Sequence, residues 1–435
     1  MENAPKKQLT VFDGVCIIVG IIIGAGIYET APVIASSVGS APATLGIWLM
    51  GGLLALTGSL CYADLATAFP QQGGDYIYLS EAYGPGAGFL FGWSQLLVIR
   101  PGDIALMAFI FARYAAQLIW FTHCTRVYAF LAIFILTLLN LLGIRQGKWT
   151  QNILTVLKVL GLAAIFAAAI LAPGNTQTTS DVQWNRAGIQ LAFILVLFTY
   201  GGWNEIAYVA AEIKHPRRNI IRTIMIGTLS VVLIYLLVNL AFLSTLGHAG
   251  VARSEAVAVN TVAKVFPHYA SRLIAALICI SSLGALNGLI FTGARISYAL
   301  GQNQILFRQL GRWKSATAGP VYALALEGAL SLLLVLIAGS FIDTILYTAP
   351  AVWLFFLGTV LSLFILRRKK PSMFHPVGVI RARVIPAAFC ATCVFMLFNC
   401  IHYAATHKPA ALLVLTGLLF SGIIVYRLQQ VKLRG

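Results

Sequence analysis

The sequence predicts an all-α polytopic membrane protein of twelve transmembrane helices, two of them broken near the middle of the bilayer. Three observations carry that prediction. The 435-residue chain is 59% hydrophobic and 10% charged, with a mean hydropathy of +0.87, whereas soluble domains carry about 25% charged residues. Its apolar residues fall into twelve stretches of about the length that crosses a bilayer, roughly 20 residues. The first and sixth of those stretches carry glycine clusters at their centres.

The stretches run 11–38, 43–69, 87–120, 127–143, 152–172, 187–211, 220–246, 271–300, 321–339, 342–366, 384–404 and 410–427. The third is longer than the bilayer is thick, which predicts a strong tilt or a projecting end. With the N-terminus inside, twenty of the thirty lysines and arginines fall in inner segments, six in outer ones and four within spans. That bias places both termini in the cytoplasm and supports the count of twelve. It also explains the net charge of +17 without nucleic acid. The basic run Arg367–Lys370 reads as part of the same orientation signal. The first apolar run is too long for a cleavable signal peptide and lacks a small-residue cleavage site. Of the seven cysteines only Cys390 and Cys393 have a suggestive spacing. With no His or acid beside them they read as packing, and no metal or cofactor site is predicted.

Within the first stretch, Gly20–Thr30 reads GIIIGAGIYET. Gly20, Gly24 and Gly26 each cost a helix about 1 kcal/mol relative to Ala. Gly20 and Gly24, four apart, would also fit a small-residue packing seam. The second cluster, FTYGGWNE at Phe198–Glu205 in the sixth stretch, favours a different reading. Paired glycine-interrupted spans at corresponding places are the sequence mark of a transporter site at mid-membrane. Irregular backbone survives at that depth only where it lines a cavity. An offset of five spans gives the two halves opposite orientation, as in an inverted repeat. A single transport domain, 1–435, would comprise repeats at 10–172 and 187–366 and two added helices over 384–427.

Broken helices offer N–H groups and a positive dipole end to an anion, and freed carbonyls to a cation. An α-amino acid carries both charges. N–H groups near Gly24, Ala25 and Gly26 would meet its carboxylate. Carbonyls near Ile22 and of Phe198, Thr199 and Tyr200 would meet its ammonium. Trp203 and Tyr200 either bound the side-chain pocket or pack, and Asn204 either binds substrate or ties down the break.

Charges inside spans cost about 2.5–3.5 kcal/mol on insertion scales and mark function by default. Lys158 sits centrally in the fifth stretch, as a proton carrier, a fixed cation in place of a coupling ion, or a lysine snorkelling to the inner interface. Arg100 and Asp103 are three apart on one helix face and predict a structural ion pair, with Pro101 loosening the helix between them. Arg113 and Arg295 lie nearer span ends and read as structural. Glu205 follows the second break and either contacts substrate or holds the unwound segment. Glu212, beside Lys214, Arg217 and Arg218, predicts an ion pair or gate at the inner face. Asn287 in the eighth stretch is a gate or structural candidate. No acid other than Glu205 clearly faces the predicted pocket, which favours neutral substrates. Nothing forms a nucleophile–base pair or phosphate loop, so no enzymatic activity is predicted.

Several segments resemble a known family. GIIIGAGIYETAP is similar to the span 1 signature of the amino acid–polyamine–organocation superfamily, and CYADLATAFPQQGGDYIYLSEAYGP to its span 2–3 signature. FTYGGWNEIAYVAAEIKHPRRNI resembles span 6 of the L-type amino acid transporter branch, and ISSLGALNGLIFTGARISYALG its span 8. The resemblance implies the LeuT fold and sodium-independent amino acid transport, often as obligate exchange. Ile22, Ala25, Gly26 and Ile27 would surround the substrate backbone. Phe198, Thr199, Gly201, Gly202, Trp203 and Asn204 would form the span 6 side, with Phe198 as outer gate. Lys158 would stand where related transporters hold sodium. Two departures are visible: Ala25 replaces a common serine, removing one hydroxyl worth about 0.5–1.5 kcal/mol net, and Asp64 replaces a glutamate. Eukaryotic members bond a partner glycoprotein through a cysteine after span 3. Cys124 lies there, but the compact loops predict a self-sufficient bacterial form without an obligate partner subunit. Against neutral amino acid exchange stand proton-coupled symport and an amino acid-binding sensor or channel; a channel would want a polar path that the spans do not show.

Overall fold

The first helix, α1 (Val11–Ile22), starts at a capping box. The Asp13 amide donates to Thr10 Oγ1, and the Thr10 amide donates back to Asp13 Oδ2 at 2.8 Å, which satisfies two of the donors a helix start leaves open. Asp13 also takes Lys148 Nζ at 3.1 Å and Asn152 Nδ2 at 2.8 Å, so the cap fastens α1 to the fifth span. This is a computed structural model, and it describes residues 5–118, 124–172, 186–314, 319–337 and 341–434.

The chain is helical, and its β-bridges among the described residues are isolated ones, Leu9 with Ile213 and Lys314 with Gly319. After α1 come α2 (Gly26–Ser36), α3 (Ala41–Ala68) and the short α4 (Asp75–Tyr83). A continuous rod follows, α5 (Pro85–Ser94) and α6 (Arg100–Leu118), joined by a wide π-type turn at Gln95–Ile99. Then come α7 (Thr125–Leu141), α8 (Ile144–Leu171), α9 (Arg186–Thr199), the one-turn α10 (Glu205–Tyr208), α11 (Pro216–Ala252) and α12 (Val257–Ala263). The last are α13 (Ala270–Asn303), α14 (Val321–Ile337), α15 (Phe341–Lys369), α16 (Ile385–His407) and α17 (Ala410–Arg434).

Among the described residues eight helices are long and apolar enough to cross a membrane, nine with the bent pair α1–α2 counted as one span. Three shorter apolar helices, α7, α9 and α14, fall on the fourth, sixth and ninth predicted stretches. The protein is thus a polytopic membrane protein. The ends of the third and ninth stretches, at 119–120 and 338–339, lie outside the described residues. Exposed Leu160, Ile170, Phe398, Leu413 and Phe420 on α8, α16 and α17 form the kind of surface that lipid accepts and water does not.

Sequence and structure differ in instructive places. The third stretch stays helical through Pro101 because the π-type turn just before it absorbs the lost hydrogen bond. In α11, Gly247 at φ 70° kinks the helix one residue beyond the end of the seventh stretch. The basic run at 367–370 is engaged in ion pairs within the protein. Arg367 and, from the next segment, Arg381 both bind Asp64 at 2.6 Å, and Lys370 binds Glu81 at 2.5 Å.

Candidate functional site

The two breaks face each other. Between α1 and α2 the chain leaves helical geometry at residues 23–25, and the halves meet at 50°. Between α9 and α10 it unwinds over residues 200–204. Gly202 there has φ +119°, and a Cβ on it would lie 2.9 Å from Ile21 Cγ2. Only glycine fits both the left-handed backbone and that approach. The breaks touch at Thr30 and Thr199, whose hydroxyls are 3.2 Å apart.

Together they wall a cavity of about 170 Å³. Ile22, Gly24, Gly26, Phe198, Thr199, Gly201, Gly202, Trp203, Asn204 and Glu205 line it, so most of the residues singled out in the sequence converge there. Ala25 and Ile27 are fully buried and lie outside the lining. Tyr200 is also outside it, because its hydroxyl turns away to donate to the Trp48 carbonyl at 3.1 Å. Trp203 faces the cavity edge-on to Tyr62 and Phe389. The Asn204 amide donates to the Tyr208 hydroxyl at 2.9 Å, so it ties the break while lining the space.

The backbone groups at the breaks divide into used and unused. The Gly24 amide bonds Ile22 O at 2.9 Å, and Tyr235 donates to Ile22 O at 2.9 Å or Thr199 O at 3.2 Å. Phe198 O takes the Gly201 amide at 3.0 Å. Ile22 O therefore has both acceptor positions filled in this conformation, while Phe198 O and Thr199 O each keep one. Among the described residues the amides of Ala25, Gly26 and Ile27 have no acceptor, and α2 starts without a side-chain cap. A helix start with free amides beside a cavity suits an anion.

Lys158 lies in the interior, fully buried, and does not snorkel. Its Nζ donates to Gly20 O at 2.7 Å, Ile23 O at 2.6 Å and Ser281 O at 2.9 Å. Three carbonyls match the three N–H bonds of an ammonium. Two of them are carbonyls that the end of α1 leaves open.

The ionic pairing differs from sequence expectation. Arg100 bonds both Glu205 oxygens at 3.1 Å and makes no ion pair with Asp103. A helix neighbour three residues away lost to a carboxylate on another helix, because both of the latter are buried and need full compensation. Thr292 also donates to Glu205, so Glu205 holds the unwound segment. Glu212 binds neither Lys214, Arg217 nor Arg218. It is fully buried against Arg295, at 2.8 and 3.1 Å, and takes Gln72 at 2.6 Å. Arg113 makes an exposed 3.7 Å pair with Glu29. Asn287 lies away from the cavity, bonding Gly147 O, Gln151 and Asn140 between α13, α8 and α7.

Three contributors escaped sequence reasoning. Tyr235 gave no signal beyond being a tyrosine in an apolar stretch. Glu327, an acid in the ninth stretch, was visible by composition; it is buried and neither oxygen has a hydrogen-bond partner among the described residues. Asp103 lines the cavity, which overturns the expectation that no acid other than Glu205 would face it.

The sequence is similar to known proteins along almost its whole length. The sequence profile described as amino acid permease matches residues 9–424. The b(0,+)-type amino acid transporter 1 of Mus musculus is 31% identical over 97% of this chain and 88% of its own length. The Large neutral amino acids transporter small subunit 2 of Mus musculus is 30% identical over 97% and 81%. The Asc-type amino acid transporter 1 of the same species is 28% identical over 95% and 80%.

Proposed function

The chain belongs to the amino acid permease family, and on that premise we propose that it exchanges amino acids across a cell membrane by alternating access, without sodium. The observation that carries this reading is that two broken helices, far apart in sequence, wall one cavity. The substrate carboxylate would meet the amides of Ala25, Gly26 and Ile27, and its ammonium the open acceptor positions of Phe198 O and Thr199 O. Trp203, Phe198 and Phe356 supply an apolar wall that suits neutral side chains.

Lys158 supports sodium independence. A fixed cation already satisfies the carbonyls of the first break, where a coupling metal ion would otherwise have to sit. The proposed architecture is the LeuT fold, with repeats at 10–172 and 187–366 and two added helices. Twelve spans would leave both termini in the cytoplasm, the chain would work in a cell (inner) membrane, and no obligate partner subunit would be needed. Proton-coupled symport is the second reading, favoured by the buried, unpartnered carboxylate of Glu327.

The test uses proteoliposomes in sodium-free buffer at equal pH on both sides. Labelled leucine or alanine should enter vesicles preloaded with unlabelled amino acid and not empty ones. Equal entry into empty vesicles would refute exchange, and stimulation by an inward proton gradient would establish symport.

A further inference from the structure

A second, open hollow of about 680 Å³ lies outside the substrate cavity, with Lys7, Pro70, His215, Arg217, Arg218 and Asn219 in its walls and no carboxylate among them. Two separate segments build it. The amides of Gln8 and Leu9 both donate to Glu212 O at 2.8 Å, and the Lys214 amide donates back to Leu9 O at 2.9 Å. That pairing sets Lys7 against the start of α11. His215 then turns the chain at φ 48°, the one non-glycine residue with left-handed backbone among the described residues, and Pro216 opens α11. The nearby acids are already taken, Asp13 by Lys148 and Glu212 by Arg295. Among the described residues Lys7, Arg217, Arg218 and the neighbouring Arg222 make no ion pair. The charge bias that orients a membrane chain accounts for cations on this side. It does not account for cations of two segments gathered round one hollow without an acid.

We propose that this hollow binds the phosphate of an anionic phospholipid whose acyl chains lie along α11. Guanidinium groups match phosphate oxygens two at a time, and a lysine adds a point charge. Basic pockets at the membrane surface suit such headgroups. What selects a lipid over a free anion is the helix beyond the hollow. Arg218, Arg222, Ile226, Leu229 and Leu233 recur at intervals of four, four, three and four, so they share one face of α11. All five are exposed. The face is basic at the hollow and apolar from Ile226 onward. From Arg222 to Leu233 the rise is about 16 Å, about half the 30 Å of a bilayer's hydrocarbon core. The stripe therefore has the polarity and length of one lipid: charge at the surface, then an acyl chain's depth of apolar side chains. The position gives the lipid a consequence. Lys7 belongs to the segment that enters α1, and Arg217 and Arg218 follow the segment that leaves α10. A phosphate held between them would tie the outer ends of both broken helices together and favour the arrangement in which residues 8–9 and 212–214 stay paired.

The test follows melting of the purified protein in detergent with added phosphatidylglycerol, phosphatidylcholine or inorganic phosphate. Phosphatidylglycerol in about hundredfold excess over its Kd should raise the melting temperature by about 3 °C, and the other two should not. The combined variant Lys7→Gln, Arg217→Gln, Arg218→Gln should lose the rise. Arg308→Gln with Arg312→Gln, two exposed arginines outside the hollow, should keep it. Should the triple variant not fold, Arg218→Gln alone should at least halve the rise. An equal rise with phosphatidylcholine, or a rise that survives loss of the three cations, would overturn the proposal. A rise lost equally in the Arg308 and Arg312 variant would overturn it too, because it would show diffuse charge in place of a site. An equal rise with inorganic phosphate would mean that the hollow takes a free anion and not a lipid. No transport is measured, so a negative result leaves the exchange reading standing, and failed exchange in proteoliposomes leaves this one standing.

Discussion

Lys158→Met removes a cation while keeping a long apolar side chain, so most of the packing volume remains. Three carbonyls then lose their donor: Gly20 O, Ile23 O and Ser281 O, now bonded at 2.6–2.9 Å. A buried polar group left unsatisfied costs about 1–3 kcal/mol, which gives about 3–9 kcal/mol if nothing relaxes. Gly20 O and Ile23 O lie at the end of α1, where the backbone is already irregular and can shift, so the lower end, about 3 kcal/mol, is the better expectation. That is a large share of the stability of a typical domain, about 5–15 kcal/mol. Unfolding of purified protein in detergent should begin about 3 °C lower, the shift that loss gives a chain of this size. Exchange in proteoliposomes should fall at least tenfold, because the end of α1 is no longer fixed to α13. A milder perturbation of the same contact is Gly284→Ala, whose Cβ would sit 3.1 Å from Lys158 Nζ; it should give an intermediate loss in both assays. Wild-type melting and exchange in Lys158→Met would refute the reasoning.

Two further outcomes follow from the same geometry. Gly202→Ala forces a side chain into φ +119° and places its Cβ 2.9 Å from Ile21; left-handed geometry alone costs about 1–2 kcal/mol, so exchange should be lost, and a variant with normal leucine KM would contradict the role given to that turn. Asp75, outside the apolar stretches, is buried between the hydroxyls of Tyr62 and Thr359, and burial pushes its carboxyl from 3.8 up to about 6. Its folded form holds a proton that the unfolded chain releases. Stability should therefore be greatest below pH about 4 and fall by about 3 kcal/mol as pH rises through about 6. Asp75→Asn should flatten the melting-temperature profile between pH 4 and 7, and an unchanged slope would mean another group is responsible.

Much of the architecture was legible because the bilayer imposes length and polarity on each helix. Over the described residues the apolar stretches fall on helices, eight or nine of them long and apolar enough to cross a membrane, and both glycine clusters fall on breaks. Periodicity could not say which way residues point where the helix is absent. Tyr200 and Trp203 looked equivalent in sequence, yet one turns to Trp48 and the other to the cavity. Ala25 and Ile27 share the GAGI segment with the lining glycines but sit on its buried side. Long-range ionic partners were illegible for a different reason. Arg100 has Asp103 within one turn, and nothing local reveals that Glu205, 105 residues away, fills its guanidinium instead.

The same charges show how two breaks are held in one place. Ser281, Gly284, Gly288, Thr292 and Arg295 recur at three- and four-residue intervals and so form one stripe along α13. Lys158 is bonded to Ser281 O and lies against Gly284, Gly288 is the close neighbour of Ile21, Thr292 donates to Glu205, and Arg295 holds Glu212. The upper part of the stripe thus secures the end of α1 through an ammonium. The lower part secures the segment after the second break through carboxylates. Broken helices have lost the internal hydrogen bonds that fix an intact span, and buried charge-assisted contacts replace them with bonds to a helix that stays whole. Such contacts are directional, so they hold each break at a defined register against α13 where apolar packing alone would let it slide. On the exchange reading proposed above, moving these segments relative to α13 would trade one set of charged contacts for another, and the substrate's own charges would be the natural trigger.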